Sequence, residues 1–153
     1  MLGSLDIYHF GIVVEDIEVA MEDLGERLEL TWAPLQRRRQ TVITGDGQEV
    51  SEQIAFTYSV QGTPHLELID SEERRLWSPG PAGQLHHLGV FVDDIPAESA
   101  RLSSQGARLE FGGGDRRAPA GFAYHLLPGG LRLEIVEESR RAQFAAWMAG
   151  GAF

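Results

Sequence analysis

The stretches YHFGIVVEDI, residues 8–17, and HHLGVFVDDI, residues 86–95, are two versions of one sequence, and they decide the fold. His9 in the first copy matches His87 in the second. Each copy is rich in Ile, Val and Phe, which is typical of a strand, and its last residue but one is an Asp, Asp16 or Asp94, that can begin a helix. An internal repeat of this kind predicts an architecture of two related modules.

A second pair of related stretches lies downstream of the first. HLELID, residues 65–70, matches RLEIVE, residues 132–137, and this match aligns Glu67 with Glu134. Both stretches alternate apolar and polar residues, as strands do. Each repeat is therefore expected to begin with a His on a strand and to end with a Glu on a strand.

Local patterns fill in the elements between these ends, and they predict a strand, a helix and three strands in each repeat. Asp16 is the expected N-cap of the first helix, and the Gly-containing sequence at 45–47 is an expected tight turn. The other predicted elements are strands at 5–14, 31–42 (interrupted by Pro34), 53–60, 65–70, 84–94, 121–128 and 131–137, helices from Ile17, from Ile95 to Gly106 and within 139–153, and a Gly-rich loop at 112–114.

The same patterns divide the chain into segments. We expect a first βαβββ module at residues 1–70 and a second at 84–137, joined by a Pro- and Gly-rich linker at 71–83. Residues 138–153 are expected to form a C-terminal helix and tail.

Composition excludes several classes of protein. The 153 residues include no cysteine, which excludes disulfides, thiolate metal sites and Cys nucleophiles. A net charge of −10 disfavours nucleic-acid partners, whose phosphates attract basic proteins. No stretch approaches the roughly 20 apolar residues that span a membrane, and the first ten residues are unlike a signal peptide. We expect a cytoplasmic protein.

Two His and two Glu at matching positions of a repeat indicate a metal site. If the modules pack with pseudo-twofold symmetry, the side chains of His9, Glu67, His87 and Glu134 converge. Buried carboxylates are costly unless they are paired, and one divalent cation would satisfy all four groups. A set of two nitrogens and two oxygens suits Zn, Ni, Co, Mn or Fe and leaves coordination positions open.

The motifs HFGIVVEDI, HLELI, LHHLGVFVDDI and LPGGLRLEIVE together resemble the vicinal oxygen chelate superfamily. That superfamily includes glyoxalase I, methylmalonyl-CoA epimerase, extradiol dioxygenases and bleomycin resistance proteins, and the resemblance is strongest to the glyoxalase–epimerase branch. It implies an α+β fold in which two tandem βαβββ modules form a curved, partly open mixed β-sheet cavity with the helices outside. The family's metal positions correspond to the same two His and two Glu.

The resemblance also implies an activity. We expect a divalent-metal-dependent isomerase, epimerase or lyase that acts on a carbonyl-containing small molecule through a metal-stabilised enolate. Glu134 is the first candidate for the catalytic base and Glu67 the second. Glu67 stands where the epimerases usually carry Gln, which favours a glyoxalase-like ligand set, but the Arg that holds glutathione is absent after His9. The alternatives are a non-catalytic binding protein for a natural product or antibiotic, and a ring-cleaving dioxygenase.

Further residues are expected near the cavity. His65 is a candidate pocket residue because it lies two residues before Glu67 on one strand face, and His125 is another on a later strand. Either Gln53 or its neighbour Glu52 should also face inward, with Gln53 as the candidate pocket residue. Tyr58 and Phe56 are expected to pack rather than to act. A homodimer is the common arrangement in the family and is expected here.

Overall fold

Eight strands and three helices account for the regular structure in residues 6–79 and 84–153, which are the residues that the computed structural model describes. The fold is mixed α+β. The elements are β1 His9–Val13, α1 Ile17–Leu28, β2 Gln36–Thr44, β3 Glu49–Tyr58, β4 His65–Ser71, β5 Leu85–Val92, α2 Ile95–Ser104, β6 Arg108–Gly114, β7 Pro119–Leu126, β8 Arg132–Glu137, a 3-10 turn Glu138–Arg140 and α3 Arg141–Met148.

The first two helices begin at aspartates that cap their free backbone N–H groups. The Asp16 carboxylate accepts hydrogen bonds from the backbone N–H groups of Glu18 and Val19, both at 3.1 Å. The Asp94 carboxylate accepts one from the backbone N–H of Ala97 at 2.9 Å. The Asp16 cap predicted from the sequence is confirmed. Asp94, at the matching position of the second repeat, caps its helix in the same way.

Helix α1 packs its apolar stripe on the sheet, with Ile17 in a core cluster that includes Val14, Ala55 and Leu68. Leu28 follows the same helical spacing but is 56% exposed, because the helix ends at that residue. None of the helices in residues 6–79 and 84–153 is both long enough and apolar enough to cross a membrane.

The strands are hydrogen-bonded in the order β1-β4-β3-β2-β6-β7-β8-β5, and the order is closed. This corrects the partly open sheet that we expected. Strand β1 is not an edge, because the backbone N–H of Tyr8 donates to the Gly89 carbonyl and that of Val13 to the Gln84 carbonyl, both at 2.8 Å. Closure pairs backbone groups that an edge strand would leave open.

The described chain divides into two compact units. The β5–β8 unit comprises His87–Arg141, Thr41–Ser51 and the described residues 6–8, and contains α2. In it β5 and β8 are parallel, and β7 pairs antiparallel with β6 and β8.

The β1–β4 unit comprises His9–Gln40, Glu52–His86 and Ala142–Phe153, and contains α1 and most of α3. In it β1 and β4 are parallel, and β3 pairs antiparallel with β4. The boundaries predicted for the tandem modules are not tested by this division and stay a prediction.

The predicted Gly-rich loop at 112–114 is wrong, because these residues belong to β6 and pair with β7. The strands approach so closely here that a Cβ at Gly112 would lie 2.8 Å from the Phe122 carbonyl oxygen and 3.2 Å from the Ala123 Cβ. Glycine is needed at this position because β6 and β7 leave no room for a side chain, and not because the segment is a flexible loop.

Strand β2 begins at Gln36, later than the predicted strand at 31–42. Before it, Trp32 makes only an isolated bridge with Ser59. Pro34 lies between Trp32 and the first residue of β2. Because proline has no backbone N–H to donate to a neighbouring strand, the regular strand begins only after it.

A buried carboxylate organises the segment after β4. Glu52 is fully buried and accepts hydrogen bonds from the Ser71 hydroxyl at 2.6 Å, the Leu76 backbone N–H at 2.7 Å and the Arg75 backbone N–H at 3.1 Å. This part of the predicted linker is therefore held against β3. Residues 80–83 of that linker lie outside the described residues.

The turn between β2 and β3 gives a test of this packing. A Cβ at Gly45 would lie 2.1 Å from the Leu109 carbonyl oxygen, so Gly45→Ala is expected to lower the free energy of unfolding by about 1–3 kcal/mol. Gly129 is the matched control, since a Cβ there meets nothing within 4 Å. Urea unfolding of the two alanine variants measures the difference. Equal stabilities would contradict the close approach.

Candidate metal centre

The β1–β4 unit buries a histidine and a glutamate side by side. His9 lies on β1 and Glu67 on the parallel neighbour β4, where Glu67 is in register with Gly11. The His9 Nε2 atom is 3.3 Å from Glu67 Oε2. His9 is fully buried and Glu67 is 7% exposed. Parallel strands keep the two side chains on one face of the sheet.

The β5–β8 unit repeats this geometry. His87 lies on β5 and Glu134 on the parallel neighbour β8, where Glu134 is in register with Gly89. The His87 Nε2 atom is 3.2 Å from Glu134 Oε2. In both units the glutamate lies opposite the glycine that is two residues beyond the histidine, so the sequence repeat is also a repeat of structure.

Within each pair the carboxylate is the more accessible partner. The Glu67 side chain is 9% exposed against 1% for His9, and the Glu134 side chain is 10% exposed against 0% for His87. Within each pair the residual exposure to solvent is thus on the carboxylate and not on the imidazole.

A tyrosine accompanies each pair. Tyr58 on β3 is in register with Glu67, and its ring centroid is 5.0 Å from that of His9. Tyr124 on β7 is in register with Glu134, and its ring centroid is 5.0 Å from that of His87.

Tyr58 was expected only to pack, and the sequence motifs did not predict a role for Tyr124. A signal was present in the repeat, because both tyrosines end the same three-residue pattern of Phe, any residue and Tyr. The pattern stands at 56–58 and 122–124.

One cluster of histidines and acids in residues 6–79 and 84–153 could hold a metal ion, and it consists of the predicted His9, Glu67, His87 and Glu134. Each residue offers one ligand atom, and these atoms all lie within 4.8 Å of one another. All four side chains are buried. Two imidazole nitrogens and two carboxylate oxygens form a donor set that fits a divalent transition metal. Their assignment as ligands stays a prediction.

His65 and Gln53, predicted as pocket residues, lie in other surroundings. His65 is buried in register with His9, and its Nδ1–H donates to the Ser59 carbonyl at 2.7 Å. Gln53 is half-buried, and its backbone N–H donates to the Glu73 carboxylate at 2.7 Å. Neither residue belongs to the cluster above.

His125, the third predicted pocket residue, is fully buried beside α2. Its Nδ1–H donates to the Ala107 carbonyl at 3.0 Å, and its Nε2 accepts from the Ser99 hydroxyl at 2.9 Å. Burial lowers the pKa of His125 below the ordinary histidine value, against a weaker opposing effect of its hydrogen bond to Ala107 and of the charges of Glu98 and Glu110. The neutral ring serves as a structural link between α2 and β7.

The amino-acid sequence matches a known protein family over most of its length. The sequence model of the Glyoxalase/Bleomycin resistance protein/Dioxygenase superfamily matches residues 8–124. The chain belongs to this superfamily. The match covers both first strands of the repeat and confirms the resemblance drawn from the sequence motifs. A comparison with curated proteins gave no match.

Solved structures of similar fold include methylmalonyl-CoA epimerase from Mycobacterium tuberculosis. It is 25% identical, with 90% of this chain and 92% of that chain covered and a TM-score of 0.56. A variant of the Streptomyces coelicolor methylmalonyl-CoA epimerase in complex with 2-nitronate-propionyl-CoA is 16% identical, with 86% and 93% covered and a TM-score of 0.55. A variant of 4-hydroxymandelate synthase from Streptomyces coelicolor is 12% identical, with 86% and 47% covered and a TM-score of 0.53. The last two show the fold alone.

The buried His125 predicts a pH dependence of stability. Because its pKa is lowered in the folded protein, the unfolded chain binds more protons than the folded chain once the pH falls below about 6.5. The contribution of His125 is thus complete above that pH and is lost as the pH falls toward the folded-state pKa. The stability advantage of the wild type over His125→Gln is expected to shrink between pH 7.5 and 5.5 in urea unfolding. A pH-independent difference would contradict this.

Proposed function

We propose that this protein is a divalent-metal-dependent isomerase, epimerase or lyase that acts on a small molecule containing a carbonyl group. The observation that carries the proposal is the buried cluster of two histidines and two glutamates, with ligand atoms within 4.8 Å of one another. Membership of the superfamily does not by itself specify a reaction, because one fold can carry many activities, so the proposal depends on these four residues.

The residues fit a bound cation on grounds of charge and burial. Glu67 and Glu134 are each only 7% exposed, and a buried carboxylate is expensive unless a positive charge or hydrogen bonds compensate it. As a metal ligand the imidazole next to each carboxylate would be neutral, so it would supply a second donor atom but no charge. A divalent cation would balance both carboxylates, and four protein ligands leave positions for a substrate oxygen.

The glutamates are the residues that we assign to proton transfer. When bound, the cation would act as a Lewis acid toward the substrate carbonyl and make the neighbouring C–H bond more acidic. Glu134 accepts that proton, and the electron pair of the C–H bond moves toward the carbonyl. The protonated carboxyl group of Glu134 returns this proton to the substrate; alternatively Glu67, once it has taken a proton from water, delivers that proton to the carbon while Glu134 releases its own to solvent. The greater exposure of the carboxylates within each pair supports this assignment.

The substrate class is proposed from the similarity to methylmalonyl-CoA epimerase from Mycobacterium tuberculosis. Methylmalonyl-CoA, the substrate in that enzyme's name, is a thioester with an acidic carbon next to the carbonyl group. We propose a substrate of this chemistry, with methylmalonyl-CoA as the first compound to test. A homodimer remains our prediction for the assembly.

Metal content is the first test of the proposal. Purified wild-type protein, prepared without a His tag or chelator, is expected to carry close to one divalent metal ion per chain by ICP-MS. His87→Ala and Glu134→Ala should each lose the metal, because each removes one ligand. Glu137→Gln, on the same strand as Glu134 but outside the cluster, should retain it. Absence of metal from the wild type, even after reloading, would overturn the proposed function.

Solvent exchange tests the reaction class. Metal-loaded protein incubated with methylmalonyl-CoA in D2O is expected to incorporate deuterium at the carbon next to the carbonyl groups, as detected by mass spectrometry. Glu134→Gln, assayed with saturating metal, should slow the exchange by about 100-fold or more, because it removes the base. Bound metal without exchange in any carbonyl substrate would point to the binding protein, and oxygen uptake by iron-loaded protein to the dioxygenase.

A further inference from the structure

Both ring nitrogens of His9 face oxygen atoms. Nε2 lies 3.3 Å from Glu67 Oε2, and Nδ1 lies 3.4 Å from the Tyr58 hydroxyl. The imidazole is fully buried, and these two neighbours lie one at each of its ring nitrogens within the β1–β4 unit. Nε2 is the nitrogen on the carboxylate side and is therefore the one available to a metal that Glu67 also binds.

A tyrosine hydroxyl suits this position because it can both donate and accept a hydrogen bond. With Nε2 bound to a metal, Nδ1 carries the proton and donates it to the Tyr58 oxygen. Without a metal, an Nε2–H can donate to Glu67, and the Tyr58 hydroxyl then donates to Nδ1. A carbonyl oxygen could serve only the first arrangement. Tyr58 can thus hold the His9 ring in one orientation whether or not the metal is present.

Helix α3 fixes the Tyr58 ring. Phe144 stacks on Tyr58 with ring centroids 5.4 Å apart and planes inclined at 27°. Trp147 meets the same ring edge-on, also at 5.4 Å. The two α3 residues are three positions apart, which puts them on one face of the helix. All three aromatic residues are buried, with Trp147 fully so.

The helix is itself anchored at two places. The Trp147 Nε1–H donates to the Pro34 carbonyl at 2.9 Å. Past the end of α3, Gly150 adopts φ +97° and its backbone N–H donates to the Trp147 carbonyl, while that of Gly151 donates to the Ala146 carbonyl, both at 2.9 Å. This turn brings the Phe153 ring back to 4.8 Å from the Trp147 ring.

The other unit supports its tyrosine in the same way but from another element. Tyr124 stacks on Phe111 of β6 at 4.4 Å and 28°. The corresponding strand of the first repeat, β2, reads QRRRQTVIT and contains no aromatic residue. Phe144 of α3 provides the stacking partner that β2 lacks. In both repeats a phenylalanine therefore stacks on the tyrosine ring. It comes from the C-terminal helix in the first repeat and from strand β6 in the second.

We infer that Tyr58 is a positioning residue that orients the His9 imidazole for metal binding, and that α3 holds Tyr58 in place. This inference rests on the proposed role of His9 as a ligand. It assigns the C-terminal helix to the metal centre, although α3 provides none of the four cluster residues.

The test compares Tyr58→Phe with Tyr8→Phe in the full chain. Tyr8 is also buried and next in sequence to His9, but its ring packs on Phe91 at 4.5 Å, so it controls for the loss of a buried hydroxyl. Co²⁺ affinity, measured by competition with a chelator, is expected to fall about 10-fold or more in Tyr58→Phe. It should stay within about twofold of wild type in Tyr8→Phe. Phe144→Leu should weaken Co²⁺ binding while the Tyr58 hydroxyl is retained.

A second readout does not depend on metal. In metal-free, ¹⁵N-histidine-labelled protein, the His9 Nδ1 resonance is expected to shift in Tyr58→Phe and to stay in place in Tyr8→Phe. An unchanged resonance and unchanged Co²⁺ affinity in Tyr58→Phe would overturn the inference. An unchanged affinity in Phe144→Leu alone would overturn the role of α3. A wild type that binds no metal, but whose Nδ1 resonance shifts in Tyr58→Phe, would overturn the proposed function and leave the positioning of His9 by Tyr58 standing.

Discussion

A carboxylate that is buried away from water needs a hydrogen-bond donor or a positive charge nearby, and this requirement determines how the residues of the site are arranged. Glu67 and Glu134 are both buried, and each has a histidine Nε2 atom within 3.3 Å. In each unit two parallel strands bring the partners together, with a glycine opposite the glutamate. The strand order, the aspartate-capped helices and the aromatic supports keep these strands in register. A cation bound by both carboxylates and both imidazoles would offset the two buried negative charges together.

The aromatic residues form the layer behind the ligands. In each repeat a tyrosine lies opposite the glutamate and in contact with the histidine, and a further phenylalanine stacks on that tyrosine. Rigid aromatic surroundings reduce the number of orientations open to a metal ligand and keep solvent from its far side. The carboxylate is the more exposed member of each pair, and the imidazole is the member in contact with the tyrosine.

The sequence predicted those features that depend on local pattern. The repeat identified the two histidines and two glutamates, and the structure places them in one buried cluster. Asp16 and the turn at 45–47 were likewise predicted, because capping and turn chemistry involve neighbouring residues. The glycines at 112–114 were misassigned to a loop, since a close approach of strands cannot be seen in one segment. The roles of Phe144 and Glu52 also depend on contacts between distant parts of the chain, and no periodicity encodes them.

Glu52 has a consequence for how this protein can be altered. Its carboxylate binds the hydroxyl of Ser71 and the backbone of Arg75 and Leu76, so a polar segment that looks like a free connection is attached at three atoms to the sheet. Proteases cleave, and inserted sequences are accepted, where the backbone can leave the surface without losing such bonds. Residues 71–76 do not meet that condition. A peptide grafted there would have to break a buried carboxylate's hydrogen bonds before it could be displayed.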